Sequence, residues 1–283
     1  MSQLSLEVFN SGYKPLPGGP GWPEDQQATW PATTSILISG DSDAILVDTL
    51  LTTAEGERLA EWVRRTGKTP SLIFVTHGHG DHFFGAGPVL SAFPAAKFSV
   101  LNEEVADEAR ASAGPEVLPA YKAWFDGQFN ENPRIPDVLE SSVVNLEGHE
   151  VNFKYIGGSD GFHGAVVEIP ELRTVIAGDI IYNDIHMWLW NSTADSRREW
   201  LESIDAIASM KPETIIAGHR EPSAPDDDAG RVLDFSRRYI EDFEVALASS
   251  QSAPELIAQV NEKYPSLGNP YTLFASAYSQ FPG

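Results

Sequence analysis

Residues 71–82 read SLIFVTHGHGDH, an apolar run followed by three histidines and an aspartate that are separated by glycines. The run from Ser71 to Val75 predicts a buried β-strand, and the segment after His82 is typical of a helix. Loops that follow strands in this way often carry the chemistry of α/β proteins. Imidazole nitrogens and carboxylate oxygens are the ligands that divalent zinc prefers. Three of the seven histidines of the chain lie in this window, which we therefore predict to be a metal site.

Three further loops repeat the same pattern, in which an apolar strand is followed by glycine and then by a residue that can bind a metal. These are Asp179 after the predicted strand 174–177, His219 after 214–217, and the segment 157–163 (GGSDGFH) after 151–156. A single histidine after a strand is more often structural than functional. Four loops with one pattern in one chain indicate a shared metal centre.

The chain is strongly acidic, with 41 Asp and Glu residues against 19 Lys and Arg residues and a formal net charge of −22. Such a surface repels nucleic acid and anionic membranes, because neutralising phosphate requires Lys and Arg. The absence of cysteine excludes disulfides and thiolate ligands. We expect neither nucleic acid nor a membrane as a partner, but a small-molecule substrate, and the chain could form a homodimer.

The N-terminal segment lacks a basic region followed by a long apolar core, so it has no visible signal peptide. No apolar run approaches the length of a membrane span. These features predict a soluble cytoplasmic protein that does not insert into membranes.

Strands are predicted in two groups, one on each side of an aromatic, partly helical stretch at 115–136. Two strand-rich halves with helices between them favour an αββα sandwich over a Rossmann sheet. We expect residues 1–283 to form a single domain with its core at about 30–220. Residues 1–33 would add an N-terminal strand and a loop that could act as a lid, and residues 225–283 a helical C-terminal extension.

The motif formed by His77, His79, Asp81 and His82 resembles the His-x-His-x-Asp-His signature of the metallo-β-lactamase-fold hydrolases. This superfamily includes glyoxalase II-like thioesterases, quorum-quenching lactonases and zinc β-lactamases. The resemblance covers roughly residues 30–220 and implies a four-layer αββα sandwich. The resemblance further implies a role for each matching residue. His77 and His79 would hold a first metal, and Asp81, His82 and His219 would hold a second. Asp179 would bridge the two metals, and Asp48 would orient the histidine loop by hydrogen bonds.

The chain departs from the family pattern at residues 158–164, where the third ligand of the first metal is expected. Alignment to the following strand puts Ser159 at the ligand position and His163 at a later position that is usually not a ligand. Three outcomes are open: His163 reaches the metal, Asp160 supplies an oxygen ligand, or the first site is incomplete. The resemblance implies one or two Zn²⁺ ions, and an oxygen ligand would also favour Mn²⁺ or Fe²⁺.

The expected reaction is hydrolysis of an ester, lactone or thioester by a metal-bound hydroxide, because metal coordination lowers the pKa of water from about 15.7 to about 7. We predict Asp81, Tyr182 and His186 as catalytic residues. Tyr182 could polarise a carbonyl group or simply pack in the core. The apolar loop 186–190 could be a substrate wall, a dimer contact or core. Together with Trp22 and Trp30 in the N-terminal loop, these residues favour a bulky apolar or aromatic substrate.

Two other activities stay open. A mononuclear iron dioxygenase can share this fold and motif, and a metal- or ligand-binding relative without catalytic activity would result if the altered 158–164 loop had abolished hydrolysis. A nuclease is disfavoured by the net charge of −22. A β-lactamase role is disfavoured by the lack of an export signal.

Overall fold

Two β-sheets face each other at the centre of the computed structural model, which describes residues 3–161 and 163–281. The strands, in chain order, are β1 (Ser5–Asn10), β2 (Lys14–Pro15), β3 (Thr29–Trp30), β4 (Thr34–Ser39), β5 (Asp43–Val47), β6 (Thr69–Phe74), β7 (Lys97–Val100), β8 (Asp137–Val138), β9 (Val143–Leu146), β10 (His149–Gly157), β11 (Gly164–Ile169), β12 (Thr174–Asn183) and β13 (Thr214–Arg220). The helices are α1 (Thr53–Thr66), α2 (Gly80–Phe83), α3 (Ala86–Ala92), α4 (Glu103–Ser112), α5 (Leu118–Phe125), α6 (Ala194–Ser209), α7 (Ala229–Ser249), α8 (Ala253–Lys263) and α9 (Pro270–Gln280), with a 3₁₀ helix at Pro170–Leu172.

The two sheets are both mixed. The first has the order β1-β4-β5-β6-β7-β8, antiparallel from β1 to β5 and parallel from β5 to β8. The second has the order β13-β12-β11-β10-β9, in which only the β12–β13 pair is parallel. Strands β2 and β3 form a separate short ladder in the N-terminal segment.

Alternating side chains on the strands fill three apolar layers, because successive residues of a strand point to opposite faces. In β4, Ile36 and Ile38 point to the interior between the sheets, whereas Leu37 packs with the helices that cover the first sheet. Phe74 and Phe153 meet across the two sheets with ring centroids 4.4 Å apart. Burial on both faces explains why these strands are continuously apolar.

Helices cover the outer face of each sheet, so the four-layer αββα architecture is confirmed. A capping box between Thr52 and Glu55 precedes helix α1, and Gly67 follows its last residue with a φ of 74°, the left-handed conformation that commonly ends a helix. The second sheet is covered by α6 and by the C-terminal helices, which bury large side chains such as Trp200 and Phe243. The expected helical C-terminal region is therefore present.

The predicted loops after 174–177 and 214–217 are instead parts of longer strands, β12 and β13. Asp179 therefore lies inside a strand rather than at its end. The pairing of β12 with β13 shifts register on both sides of Gly178, whose φ of 51° suits a glycine. Asp179 lies in this irregular stretch, outside the regular pairing with β13, while strand β12 continues to Asn183.

Within the described part of the chain, none of the helices combines the length and apolar character needed to cross a lipid bilayer.

Candidate metal centre

The histidine loop lies between the ends of the two sheets. It follows β6 and leads into the short helix α2, where His79 is the residue before the first helical position. His77 forms an isolated bridge with Gly164 of the second sheet, and the carbonyl of Thr76 accepts a 3.0 Å bond from the Ala165 amide. The loop is therefore held by both sheets at once.

The structure gathers the ligand-type residues into two clusters. The first cluster is His77, His79, Asp160 and Asp179, and the second cluster is Asp81, His82 and His219. In each cluster, one ligand-capable atom per residue lies within 4.8 Å of the others.

Asp179 contacts both clusters. Its Oδ2 lies 3.6 Å from His77 Nε2 and 3.0 Å from His219 Nε2, and its Oδ1 lies 3.3 Å from His82 Nε2. This is where the resemblance placed a bridging carboxylate. Gly218 makes the approach sterically accessible, because a Cβ at that position would lie 2.1 Å from Asp179 Oδ1.

Asp160, and not His163, faces the histidine loop. Its Oδ2 is 3.3 Å from His79 Nδ1, and only 2% of its side chain is exposed. The Ser159 hydroxyl donates a hydrogen bond to Asp160 Oδ1 at 3.0 Å. Ser159, which the alignment puts at the ligand position, therefore holds the carboxylate of Asp160. His163 belongs to neither cluster and is hydrogen-bonded through Nδ1 to the Tyr155 hydroxyl at 2.8 Å.

Three buried polar atoms at the interface of the clusters have no hydrogen-bond partner: His77 Nε2, His82 Nε2 and Asp179 Oδ1. Leaving such groups buried and unpaired is costly, and native proteins rarely do so without a functional reason. Two imidazole nitrogens and a carboxylate oxygen that converge in this way match the donors a divalent cation requires. The residues present therefore fit a metal ion.

The Nδ1 atoms of the buried histidines are held by hydrogen bonds within the fold. His82 Nδ1 donates to Asp48 Oδ2 at 2.8 Å, and His219 Nδ1 donates to the carbonyl of Ala32 at 3.2 Å. Asp48 also accepts from the Thr76 amide and hydroxyl at 2.8 and 2.9 Å. The Thr76 hydroxyl in turn lies 3.1 Å from His77 Nδ1. With a hydrogen on each Nδ1, the three Nε2 atoms are left to face Asp179.

The local electrostatics separate the histidines. Burial, and then the nearby His82, lower the pKa of His77 to about 3. For His79, burial acts in the opposite direction to Asp160, whose carboxylate raises the pKa of His79 to about 10. Burial likewise opposes Asp179 and Asp81 at His219, whose pKa rises to about 9. The carboxylates of Asp160, Asp179 and Asp81 thus favour positive charge in the centre, and a bound cation would supply such a charge.

Tyr182 and His186, both predicted as catalytic, have different surroundings. The Tyr182 hydroxyl lies 3.2 Å from Asp160 Oδ2 and 3.4 Å from Asp179 Oδ2, so it reaches the centre. His186 belongs to neither cluster; its Nδ1 is 2.8 Å from the Tyr239 hydroxyl, under the C-terminal helices. Burial lowers the pKa of His186 to about 4, which keeps it neutral.

Two aromatic residues contact the centre in ways that sequence reasoning missed. The Trp30 indole donates to Asp81 Oδ2 at 2.8 Å, and the Tyr121 hydroxyl accepts from the Gly80 amide at 3.0 Å. The sequence suggests Trp30 as part of a lid, but its position in the chain carries no signal of a contact with Asp81. Trp22 instead packs against Tyr271 and Phe274 of α9, with ring centroids 5.1 and 5.2 Å apart.

The sequence model of the metallo-beta-lactamase superfamily matches residues 28–219, and the chain belongs to this superfamily. Membership, together with the two His and Asp clusters, supports a metal-dependent hydrolase in general terms.

Solved structures of this superfamily share the fold. A metallo-beta-lactamase family protein from Thermus thermophilus is 19% identical with a TM-score of 0.62, and the match covers 96% of this chain and 91% of that one. The metallo-beta-lactamase from Pontibacter korlensis is 15% identical with a TM-score of 0.59, covering 86% of this chain and 100% of that one. The mono-zinc form of the metallo-beta-lactamase FIM-1 from Pseudomonas aeruginosa is 18% identical with a TM-score of 0.55, covering 85% and 95%. No curated protein matches the chain significantly.

Proposed function

We propose that the protein is a metal-dependent hydrolase that cleaves an ester, lactone or thioester carrying a bulky apolar or aromatic group. The observation that carries this proposal is the pair of clusters that meet at Asp179 with unpaired donor atoms facing one another. Zn²⁺ is the cation we propose first, in one or two copies, since the mono-zinc relative shares the fold. The carboxylate of Asp160 makes the first cluster suitable for Mn²⁺ or Fe²⁺ as well.

The two clusters would hold a divalent cation, which when bound would supply Lewis-acid activation of a water molecule and of the scissile carbonyl. The chain itself would hold the reacting groups in place through Asp81, which lies beside His219 Nε2 at 3.3 Å, and through Asp179. Asp81 is also the group we assign to orient the nucleophile and to transfer a proton to the leaving group.

Tyr182 is fully buried, and burial together with the Asp160 carboxylate raises its pKa well above the ordinary value. It therefore stays protonated and acts as a hydrogen-bond donor. Because its hydroxyl faces Asp160 and Asp179, we propose that it holds these carboxylates in place. We assign no catalytic step to His186, which packs against Tyr239.

An aromatic platform supports the proposed substrate class. We define it as Trp30, Trp124, Trp188 and Trp190. Trp30 lies 5.2 Å from Trp124 and 5.7 Å from Trp188 between ring centroids, and Trp188 stacks on Trp190 at 6.3 Å. Trp190 is 50% exposed, whereas Met187 and Leu189 of the same loop are buried. The loop thus contributes both core residues and an accessible aromatic face that an aromatic or apolar group could contact.

A panel of aryl esters, lactones and acyl thioesters, tested with and without added Zn²⁺, examines the proposal. His79→Ala and Asp81→Ala should each remove metal and reduce turnover together, by roughly 10² to 10⁴-fold. Undiminished turnover in both variants would refute the proposal.

Trp190→Ala should weaken the binding of aromatic substrates. If the substitution instead changes the molar mass measured by light scattering, Trp190 forms a contact between two copies of the chain.

A mononuclear iron dioxygenase is the second candidate. One observation favours it: the first cluster contains two histidines and the carboxylate of Asp160, and this donor set is common in non-haem iron oxygenases. Elemental analysis of protein purified without added metal separates the two candidates. Iron with oxygen uptake would favour the oxygenase, and zinc or manganese with hydrolysis would favour the proposed hydrolase.

A further inference from the structure

The second cluster is joined to the aromatic platform by one hydrogen bond. We infer that Trp30 is a positioning residue for Asp81, and that its indole N–H restrains the carboxylate as part of the metal centre. The inference rests on the proposed metal-binding role of Asp81, but it concerns a residue outside the superfamily signature.

The contact between Trp30 and Asp81 is a short, buried hydrogen bond. Trp30 Nε1 lies 2.8 Å from Asp81 Oδ2, and the two residues are only 7% and 2% exposed. An indole nitrogen donates but cannot accept or coordinate, so Trp30 cannot compete with Asp81 for a cation. The same Oδ2 faces His219 Nε2 at 3.3 Å, so the bond from Trp30 acts on the oxygen that points towards the cluster.

The indole ring is itself held in place by its neighbours. Its centroid lies 5.7 Å from that of Phe125 and 6.0 Å from that of Tyr121. Tyr121 also accepts a bond from the Gly80 amide, one residue before Asp81. The aromatic residues therefore fix both the donor and the backbone beside the acceptor.

Loss of the indole N–H would leave a buried carboxylate oxygen with one partner fewer. Loss of a residue that is hydrogen-bonded to a metal ligand typically lowers metal affinity by about 10 to 100-fold. We expect this effect on the second cluster, while the first cluster, which Trp30 does not contact through a hydrogen bond, keeps its affinity.

The test compares Trp30→Phe with Trp124→Phe. Both substitutions keep an aromatic ring in the platform, but only Trp30 donates to Asp81. Zn²⁺ titration against a competing chelator should show weaker binding of one ion by about 10-fold or more in Trp30→Phe and unchanged binding in Trp124→Phe. The visible absorption of Co²⁺-loaded protein should change only in Trp30→Phe. Equal losses in both variants, or none, would overturn the inference and leave Trp30 as a packing residue.

A second measurement covers the case in which Trp30→Phe does not fold. In protein labelled with ¹⁵N-tryptophan, each of the seven tryptophans contributes one indole N–H signal. One indole signal should shift on Zn²⁺ addition and also in Asp81→Asn; if no indole signal responds to Asp81→Asn, the inference fails. Neither measurement needs a substrate. The outcome would therefore stand even if no hydrolase substrate were found.

Discussion

The two clusters of the metal centre differ in how the fold supports them. The second cluster is buried throughout, and the rings of His82 and His219 are fixed through Nδ1 by Asp48 and by the carbonyl of Ala32. The first cluster includes His79, whose side chain is 26% exposed, and Asp160 from the loop after β10. The second cluster therefore draws all three of its residues from helix α2 and strand β13, whereas the first cluster also depends on Asp160 from a loop.

The largest effect should come from Asp179, whose carboxylate belongs to the first cluster and contacts the second. Asp179→Asn keeps the shape of the side chain but removes the charge that faces both clusters, so both ions should bind poorly. Turnover should fall by about 10³-fold or more, and metal content after dialysis should fall with it. Glu168→Gln on β11 is the matched control and should retain both. An Asp179→Asn variant with full metal content would show that the clusters do not depend on a common carboxylate.

The loop-built half of the centre is tested by Asp160→Ala and His163→Ala. Asp160→Ala should lose metal from the first cluster only, reducing bound metal by about half if both clusters are loaded, because an oxygen donor is removed. His163→Ala should keep its metal, since His163 pairs with Tyr155. Elemental analysis of the two variants, side by side, measures the difference. Loss of metal from His163→Ala would mean that the loop rearranges when metal binds.

The half built by regular structure is tested by Asp48→Asn. The amide nitrogen of Asn cannot accept the bond from His82 Nδ1, so the ring loses part of its restraint. Metal affinity of the second cluster should fall by about 10 to 100-fold, and a chelator competition assay measures it. An equal loss at both clusters would indicate that Asp48 acts through the whole histidine loop and not through His82 alone.

The smallest effect lies away from both clusters, at Glu147. Its carboxylate accepts hydrogen bonds from the amides of Asp43 and Ser42 between β4 and β5, and these bonds lower the pKa of Glu147 from 4.5 to about 2. A depressed folded-state pKa means that the ionised group stabilises the fold above pH 4.5 and that this contribution is lost as the pH falls towards 2. Glu147→Gln should therefore lower the urea midpoint slightly at pH 7, and the difference from the natural chain should shrink below pH 4.5. Metal content should not change; if it does, fold stability and metal binding are not separable.

Much of the fold could be predicted from local patterns. The apolar run 71–75 predicts a strand that the structure shows as β6 (Thr69–Phe74), and the predicted helical region 225–283 contains α7, α8 and α9. The predicted ends of β12 and β13 fall short of the observed ones, because the bulge at Gly178 lets Asp179 leave the ladder while the pairing continues. A bulge depends on the partner strand, which a local pattern does not describe.

The candidate site was less predictable where a loop decides which side chain turns inwards. The Ser159 amide donates a hydrogen bond to the carbonyl of Gly161, and in the resulting turn Asp160 lies beside His79. His163 is instead hydrogen-bonded to Tyr155. The sequence predicts His186 as a catalytic residue because it begins an apolar loop near the predicted metal ligands. The chain after β12 instead runs under α7, where His186 meets Tyr239.

The sequence by itself determined the chemistry of this protein: the histidine loop, Asp179 and His219 are recognisable because metal binding demands particular donor atoms after particular strands. Only the tertiary structure decided the geometry of the site. It places Asp160 in the first cluster and brings the Tyr182 hydroxyl to the carboxylates of Asp160 and Asp179. It also lets Trp30 donate a hydrogen bond to Asp81, 51 residues away in the chain. The physical reason is that donor identity is a property of single residues. The direction in which a side chain points depends on packing between segments that are distant in the chain.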